Sequence, residues 1–536
     1  MLHRLSLLAV LLAPPLFAYA WQAGGVPVCT DPSGQGSPCI AKTSDGFVVG
    51  WTDARPGAFT DIYAQKLDAG GRSLWTPNGV VVCAQESTQN RPLVAPGLNG
   101  SAILIWDDYR VIPDFLRNPW TYGQRLNSNG VSQWTLNGVL FANGGGSLEP
   151  VLIQDGQGGV YYAEIGIPLP PYDGSMVVSG RVDSTGFNMW AKALSRSSIP
   201  PSWDPAITGD GAGGAIASWT VLSDSLYVQR LSPTGQKLWS PAGVGLVSEP
   251  ENWRVQTLVP EATNGAICVW EVHRSGEFDV YAQRIIGSGL VRWQTNGVPV
   301  RVAPGDQANP KAVPDGAGGT IVVWEDGASG SRDIYAQRID STGARLWDTL
   351  GVPVIRSTGD QTGIQVVSDD AGGVIVTWKD NRNGNNDIYA QRLNPDGQRL
   401  WDTLGVGICV WSGEQTVPVM CPDGSGGAVI AWQDTRNGNN DIYAQRVSAS
   451  GSGVWEEPVP SRLTPYASRL TVSPNPFVSF TSVPGHESER FALYDISGRK
   501  VGVYQGDRIG EGLSAGVYFL KSEGKDTKPL RILKLR

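Results

Sequence analysis

Apolar and polar positions alternate along this chain in a unit that returns again and again. In one copy Asn309–Val313 gives a short apolar run, and Asp315-Gly316-Ala317-Gly318-Gly319 gives a turn. Thr320-Ile321-Val322-Val323-Trp324 then follows, β-branched and closed by an aromatic. Such an unbroken apolar run predicts a strand buried on both faces. A polar loop, residues 325 to 332, leads into Asp333-Ile334-Tyr335-Ala336-Gln337-Arg338-Ile339. The turn Asp340-Ser341-Thr342-Gly343 then brings the chain to Arg345-Leu346-Trp347. Four short antiparallel strands joined by glycine-bearing turns are predicted for each unit.

Aligned on the closing tryptophan, the copies fall at Trp75, Trp134, Trp190, Trp239, Trp293, Trp347, Trp401 and Trp455, with steps of 59, 56 and 49 residues followed by four of 54. A fixed period of this size marks a repeat architecture whose units bury their faces only against neighbours. The fold class predicted is all-β, an eight-bladed β-propeller with four-stranded blades, with seven blades or an open array as lesser alternatives. Trp21-Gln22-Ala23-Gly24-Gly25-Val26-Pro27-Val28 matches the inter-unit segment Trp293–Val300 but precedes the first unit, and after Trp455 that segment is replaced by Glu456-Glu457-Pro458. A ring closed by shared strands requires this arrangement. The third unit is weakest: Ala163 stands for the strand-end Trp, and Val177-Val178-Ser179-Gly180-Arg181 stands for the Tyr-x-Gln motif.

Composition narrows the function classes. The chain has 42 basic and 50 acidic residues, a net charge of −8, which argues against a phosphate-tracking surface and hence against nucleic acid as a partner. Its three histidines, His3, His273 and His486, lie far apart, so neither a zinc site nor a histidine general base is expected, and no metal or cofactor is assigned. Residues 1–20 read as a cleaved secretory signal peptide, with an apolar run from Leu5 to Leu12 ending in Ala18-Tyr19-Ala20. No later stretch approaches a transmembrane length. The expected location is therefore outside the cytoplasm, secreted or on the outer cell surface. In an exported chain, Cys29 with Cys39 and Cys409 with Cys421 are candidate disulfides flanking equivalent loops, whereas Cys83 and Cys268 read as core residues.

Asp and Arg recur two apart in the loop after the second strand: Asp53 and Arg55, Asp108 and Arg110, Asp380 and Arg382, Asp434 and Arg436. The enlarged loop of the second unit adds Tyr109 and Trp120. These residues are candidates for binding a polar or anionic glycan through bidentate contacts. The competing reading is that each pair pins its own loop, and repetition favours it, because a catalytic centre is used once. The Asp380–Asp387 stretch lacks the alternating oxygen spacing of a calcium loop.

Beyond Pro460 the period vanishes and a small Ig-like β-sandwich is expected over 461–536, after the signal peptide (1–20) and the propeller (21–460). The Pro474-Asn475-Pro476 entry, Leu493-Tyr494-Asp495 with Gly498-Arg499, and Leu513 to Leu520 with Gly516 and Tyr518 carry a resemblance. From Leu463 to Arg536 this segment is similar to the C-terminal sorting domain of type IX secretion cargo. The resemblance implies an Ig-like fold, a partner in the outer-membrane secretion machinery, and either release or surface attachment. The propeller resembles bacterial extracellular propellers with Trp-x-Asp-x-Arg and Asp-Ile-Tyr-Ala-Gln repeats. The Asp340–Gly343 turn before Trp347 is loosely similar to the Asp-box of sialidase-like propellers, but lacks the full Ser-x-Asp-x-Gly-x-Thr-Trp pattern. The expected role is a non-catalytic binding scaffold for an extracellular glycan or protein. A glycan-active hydrolase or lyase of sialidase type is the alternative, and an envelope assembly component is a third.

Overall fold

A computed structural model describes residues 21–55, 57–110, 119–141, 147–167, 175–195, 205–221, 225–247, 252–274, 276–452, 482–483, 490–495, 499–505, 507–522 and 530–534. The chain divides into two compact units, Met1–Pro458 and Val459–Arg536.

The first unit is all-β. Its described strands form eight four-stranded antiparallel sheets, numbered here 1 to 8 along the chain. Sheets 1 to 7 are each built from four consecutive strands, as in sheet 6: Gln307–Pro314, Thr320–Asp326, Asp333–Ile339 and Val352–Ile355. Sheet 8 takes Gln415–Pro422, Ala428–Asp434 and Asp441–Val447 from the end of the repeat array and Val26–Cys29 from its beginning. First strands pack against first strands from sheet 1 through sheet 8, and the first strand of sheet 8, Gln415–Pro422, packs against that of sheet 1, Gln35–Thr43. Contact with both neighbours places these strands innermost, which is the arrangement of a β-propeller.

Burial explains why the units cannot stand apart. The second strands are buried along almost their whole length, and each core cluster is shared between neighbours: Val323 and Ile334 of sheet 6 pack with Val376 and Trp378 of sheet 7. The strand-end tryptophans Trp51, Trp106, Trp324, Trp378 and Trp432 are fully buried. At ~25 cal/mol per Å² a ring of this size contributes about 5 kcal/mol of transfer free energy.

The second tryptophan of each unit ties sheet to sheet. Trp75, Trp134, Trp190, Trp239, Trp293, Trp347 and Trp401 each donate Nε1–H to a turn carbonyl of the following sheet at 3.0–3.2 Å. The tie from sheet 8 to sheet 1 comes from Trp21, which donates to the Ala69 carbonyl at 2.9 Å. Trp455, aligned as the eighth closing tryptophan, lies outside the described residues. The accepting turns also explain their glycine. Gly343 has φ +94°, and a Cβ there would stand 2.9 Å from the Trp293 ring, so the Asp340–Gly343 turn serves as a seat for the preceding sheet's indole.

The glutamine of Tyr-x-Gln works within its own sheet: Gln337 donates to the Asp348 carbonyl (2.7 Å) and accepts from the Trp347 N–H (3.0 Å). In sheet 3 the glutamine position is Gly180, because Tyr162 from the adjoining strand fills the space, 2.4 Å from where a Cβ would sit. All six cysteines are free and buried. The disulfide expectation fails on topology: Cys29 lies on the outermost strand of sheet 8 and Cys39 on the innermost strand of sheet 1, and Cys409 and Cys421 are likewise split between sheets 7 and 8. Burial pushes the Cys29 and Cys39 thiols up to about 12.

The second unit, taken by itself, contains one antiparallel sheet among its described residues, ordered Lys500–Gln505, Arg490–Tyr494, Gly516–Ser522, Leu530–Lys534. Val483, Phe491, Leu493, Ile509, Leu520 and Ile532 form its core. Asp495 accepts the Arg499 N–H at 3.1 Å and its guanidinium at 3.2 Å, closing the turn between the first two strands. Tyr518 donates to the Ser514 carbonyl at 2.9 Å. Pro474, Asn475, Pro476 and Gly498 lie outside the described residues. A second layer, which a sandwich requires, is not among the residues described.

Candidate functional site

Strand register divides each sheet into two ends. Asp53, ending the second strand of sheet 1, pairs with Gln35 at the start of the first strand and with Asp61 at the start of the third, and Cys83 at the end of the fourth strand pairs with Ile62. The loops between second and third strands therefore share one face with the lead-in loops between sheets; this is the loop face. The tight turns occupy the opposite face, the turn face.

On the loop face the predicted Asp and Arg pairs turn inward. Asp53, Asp108, Asp380 and Asp434 are fully buried, and each accepts the Nε1–H of its own strand-end tryptophan at 2.8–2.9 Å. Arg55, Arg110 and Arg436 pair with their aspartates at 2.5–2.6 Å, and Arg382 pairs with Asp380. Each guanidinium lies over the tyrosine of the third strand, 4.0–4.2 Å from the ring centroid of Tyr63, Tyr122, Tyr389 or Tyr443. It also donates to a carbonyl of the turn before the fourth strand, from Asn78, Asn137, Leu404 or Gly24. In sheets 1, 2 and 8 it reaches a cysteine sulfur on the preceding sheet as well. With the carboxylate oxygens and most guanidinium donors paired in this way, the pairs act as latches on the framework.

Sheet 6 shows that the latch is conserved in space rather than in sequence. Asp326 has no arginine two residues on, and Arg301 from the last strand of sheet 5 supplies the guanidinium at 3.2 Å. Sheets 3, 4 and 5 carry Ile165, Val221 and Val272 at the aspartate position and show no latch among the described residues.

Asn383 and Asn385 donate to Asp387 at 2.9 and 3.0 Å, while Asn385 also reaches the Trp411 and Gly413 carbonyls of the lead-in loop to sheet 8. In sheet 8 Asn439 does the same with Asp31 and Ser33, joining the two ends of the array. Burial pushes the Asp387 carboxyl up to about 6, and the two amides offset this only in part; Asp61 is also pushed up to about 6, by burial first. Among the described residues no group of three or more His, Cys, Asp or Glu side chains is placed to hold a metal ion.

What the latches leave free is a cleft of about 470 Å³ across sheets 5 to 7. Glycines 276, 305, 327 and 330 form its walls, and Glu277, Asp306, Ser331, Arg332 and Asp360 supply its polar groups. Asp306 Oδ1 accepts the Phe278 N–H (3.2 Å) and Asp360 Oδ1 accepts the Arg332 N–H (2.9 Å), so each lead-in loop holds the hairpin of the preceding sheet. Arg332 donates to Glu325 at 2.9 Å. Behind it, Glu325 accepts the Gly363 N–H (2.8 Å) and the Asn309 amide (3.1 Å), while Glu271 of sheet 5 accepts the Asn309 N–H (2.8 Å). Both carboxylates are buried, and burial raises Glu271 above the usual carboxylate range. A smaller pocket of about 300 Å³ lies between the loops of sheets 1 and 2 and includes Tyr109. Trp120 begins the third strand of sheet 2, paired with Asp108.

No family model matches the chain, and no curated protein sequence matches it. Solved structures are similar only in coarse outline. A Dyadobacter fermentans protein of unknown function is 12% identical, with a TM-score of 0.38, over 66% of this chain and 93% of that one. A Penicillium chrysogenum α-L-arabinanase complexed with arabinobiose is 13% identical, with a TM-score of 0.33, over 56% and 93%. A Mycobacterium tuberculosis puromycin-hydrolyzing peptidase is 13% identical, with a TM-score of 0.40, over 78% and 61%. Similarity at this level transfers no activity.

Glu277, Asp306, Arg332 and Asp360 escaped the sequence reading because it sought repeated charge. They lie outside the Asp-x-Arg motif, and only strand register and loop length bring them to one cleft.

Proposed function

We propose that this chain is a closed, eight-bladed propeller that binds a polar glycan in the cleft across sheets 5 to 7 and performs no chemistry there. The observation behind this reading is the contrast in use of charge. The recurrent Asp and Arg pairs are consumed by latches, whereas the cleft gathers Glu277, Asp306, Arg332 and Asp360 around glycine walls, a lining suited to hydroxyl groups. Screening the chain against neutral and acidic polysaccharides tests this. Arg332→Ala is expected to weaken binding about tenfold, and sustained release of shortened products would replace binding by catalysis.

Catalysis is the second reading, a glycan hydrolase. The observation favouring it is the pair of buried carboxylates Glu271 and Glu325 on adjoining sheets, linked through Asn309 and each beside an arginine, Arg254 at 3.8 Å and Arg332 at 2.9 Å. Paired carboxyls are what the acid and base roles of glycoside hydrolysis require. A Glu325→Gln variant that binds but no longer releases product would support it.

Export belongs to the same proposal. Residues 1–20 would be removed before Trp21, and 461–536 would engage a type IX-like secretion machinery as an Ig-like sorting domain. Among the described residues no helix is long and apolar enough to cross a membrane. N-terminal sequencing of exported protein should begin at Trp21, and removing 461–536 should retain the propeller inside the outer membrane.

A further inference from the structure

The pocket between sheets 1 and 2 departs from the repeat in a way that the framework does not require. The residue two before the third strand's aspartate is Asn385 in sheet 7 and Asn439 in sheet 8, and both clamp the next lead-in loop through carbonyl oxygens. In sheet 1 this residue is Phe59, which has no donor and leaves its ring 45% exposed. The residue after the latch aspartate is Ala54, Gly327, Asn381 and Thr435 in sheets 1, 6, 7 and 8, but Tyr109 in sheet 2. The backbone tie at that position survives, Tyr109 N–H to the Thr88 carbonyl at 3.1 Å, just as Thr435 N–H bonds the Glu414 carbonyl at 2.9 Å. The scaffold is therefore complete without either aromatic ring. Where the asparagine clamp has been given up, a pocket of about 300 Å³ opens, lined by Phe59, Glu86, Ser87, Thr88 and Tyr109. That volume lies at the small end of ligand sites, which run from roughly 300 to 1,000 Å³.

Two aromatic rings beside a carboxylate and a hydroxyl suit a molecule that is apolar on its faces and polar around its edge. We infer that this pocket is a second subsite for a neutral sugar ring, stacked on Phe59 and Tyr109, its hydroxyls donated to the exposed Glu86 carboxylate and shared with Thr88. The inference rests on the glycan reading above, and gives that ligand a second anchor on the same face. Glu86 disfavours a uronic or sulfated ring by charge. A bare cation is the competing occupant, since an ammonium also sits over aromatic faces.

Titration calorimetry of the full chain with neutral oligosaccharides of increasing length tests the assignment, with tetramethylammonium as the cation probe. Phe59→Ala is expected to weaken oligosaccharide binding about tenfold and Glu86→Gln several-fold, with Phe59→Trp restoring it and thermal melting unchanged in all three. If no oligosaccharide binds the unaltered chain, the glycan reading and this subsite fall together. If oligosaccharides bind and Arg332→Ala weakens them while Phe59→Ala does not, the cleft stands and the subsite is overturned. Displacement of the sugar by millimolar tetramethylammonium would also overturn it, in favour of a cation site.

Discussion

The two faces of the propeller solve the same packing problem with different freedom. On the turn face, Asp315, Asp369 and Asp423 each close a turn by accepting two N–H groups and pair with Arg338, Arg392 and Arg446 at 2.7–2.9 Å. Arg338 and Arg392 then reach the Pro395 and Ala449 carbonyls of the next sheet. The pattern tolerates exchange of the ions: sheet 1 uses Lys66 with Asp45 at 2.6 Å, sheet 5 uses Glu261 with Arg284, and in sheet 2, where Gly97 takes the carboxylate position, Arg125 donates to the Ser101 hydroxyl at 3.3 Å. On the loop face, among the described residues, the latch is absent from sheets 3 to 5 and is assembled across two sheets in sheet 6, and a cleft and a pocket open between the loops. Regularity holds the ring together, and the sequence varies most in the loops that border the cleft and the pocket.

The largest effect that would sharpen this comparison is expected from Trp378→Ala. Removing a fully buried indole and the donor to Asp380 should cost about 3–5 kcal/mol, read as a lowered midpoint in chemical denaturation with the slope preserved. Next come Arg392→Ala on the turn face and Arg382→Ala on the loop face. Each leaves a buried carboxylate without its partner and should cost about 3 kcal/mol. A loop-face loss under about 1 kcal/mol would break the view that Asp380 and Arg382 form a framework latch.

Glycine substitutions separate the faces further. Gly343→Ala drives a methyl group into Trp293 and should cost about 2 kcal/mol or more, whereas Gly330→Ala in the cleft wall meets nothing within 4 Å and should cost about 1 kcal/mol, for its φ of +90° alone. Equal losses in thermal melts would show that the turn-face seat contributes nothing beyond backbone strain.

The smallest effect is in pH dependence, where the faces differ in sign. Burial opposes ionisation at Asp423, but the Ser425 N–H and the Arg446 guanidinium outweigh it and hold the carboxyl below its ordinary value. That contribution is present above the unfolded carboxylate value of roughly 4 and is lost as pH falls through the lower folded value. At Asp387 the folded value is raised to about 6, so between roughly pH 4 and 6 the folded chain holds a proton that the unfolded chain has released. Stability from this group therefore falls as pH rises through that window. Denaturation midpoints at pH 5 and pH 7 should converge in Asp387→Asn and remain apart in Asp423→Asn.

Much of this was legible in the order of residues. The 54-residue period, the glycines of the turns and the misplaced Trp21–Val28 copy identified strands, repeats and a shared closing strand, because a unit apolar on both faces has to be covered by its neighbours. The latch was legible as a motif but not as a role. The Asp53 and Arg55 pair looks the same in sequence whether it faces a ligand or turns inward, Arg55 donating to the Asn78 carbonyl, and only burial distinguishes the two. Arg301, the partner of Asp326 in sheet 6, was out of reach, since it restores the latch from 25 residues earlier and from the preceding sheet.

Local pattern thus determined what each repeat is, since alternation, turn chemistry and β-branching act over a few residues. Tertiary structure decided what the charges do: which carboxylates are covered, which guanidinium reaches them, which cysteines are kept apart, and which aromatic residues line one pocket. The physical reason is that desolvation and hydrogen-bond satisfaction depend on neighbours contributed by distant parts of the chain, which no spacing within a single repeat records.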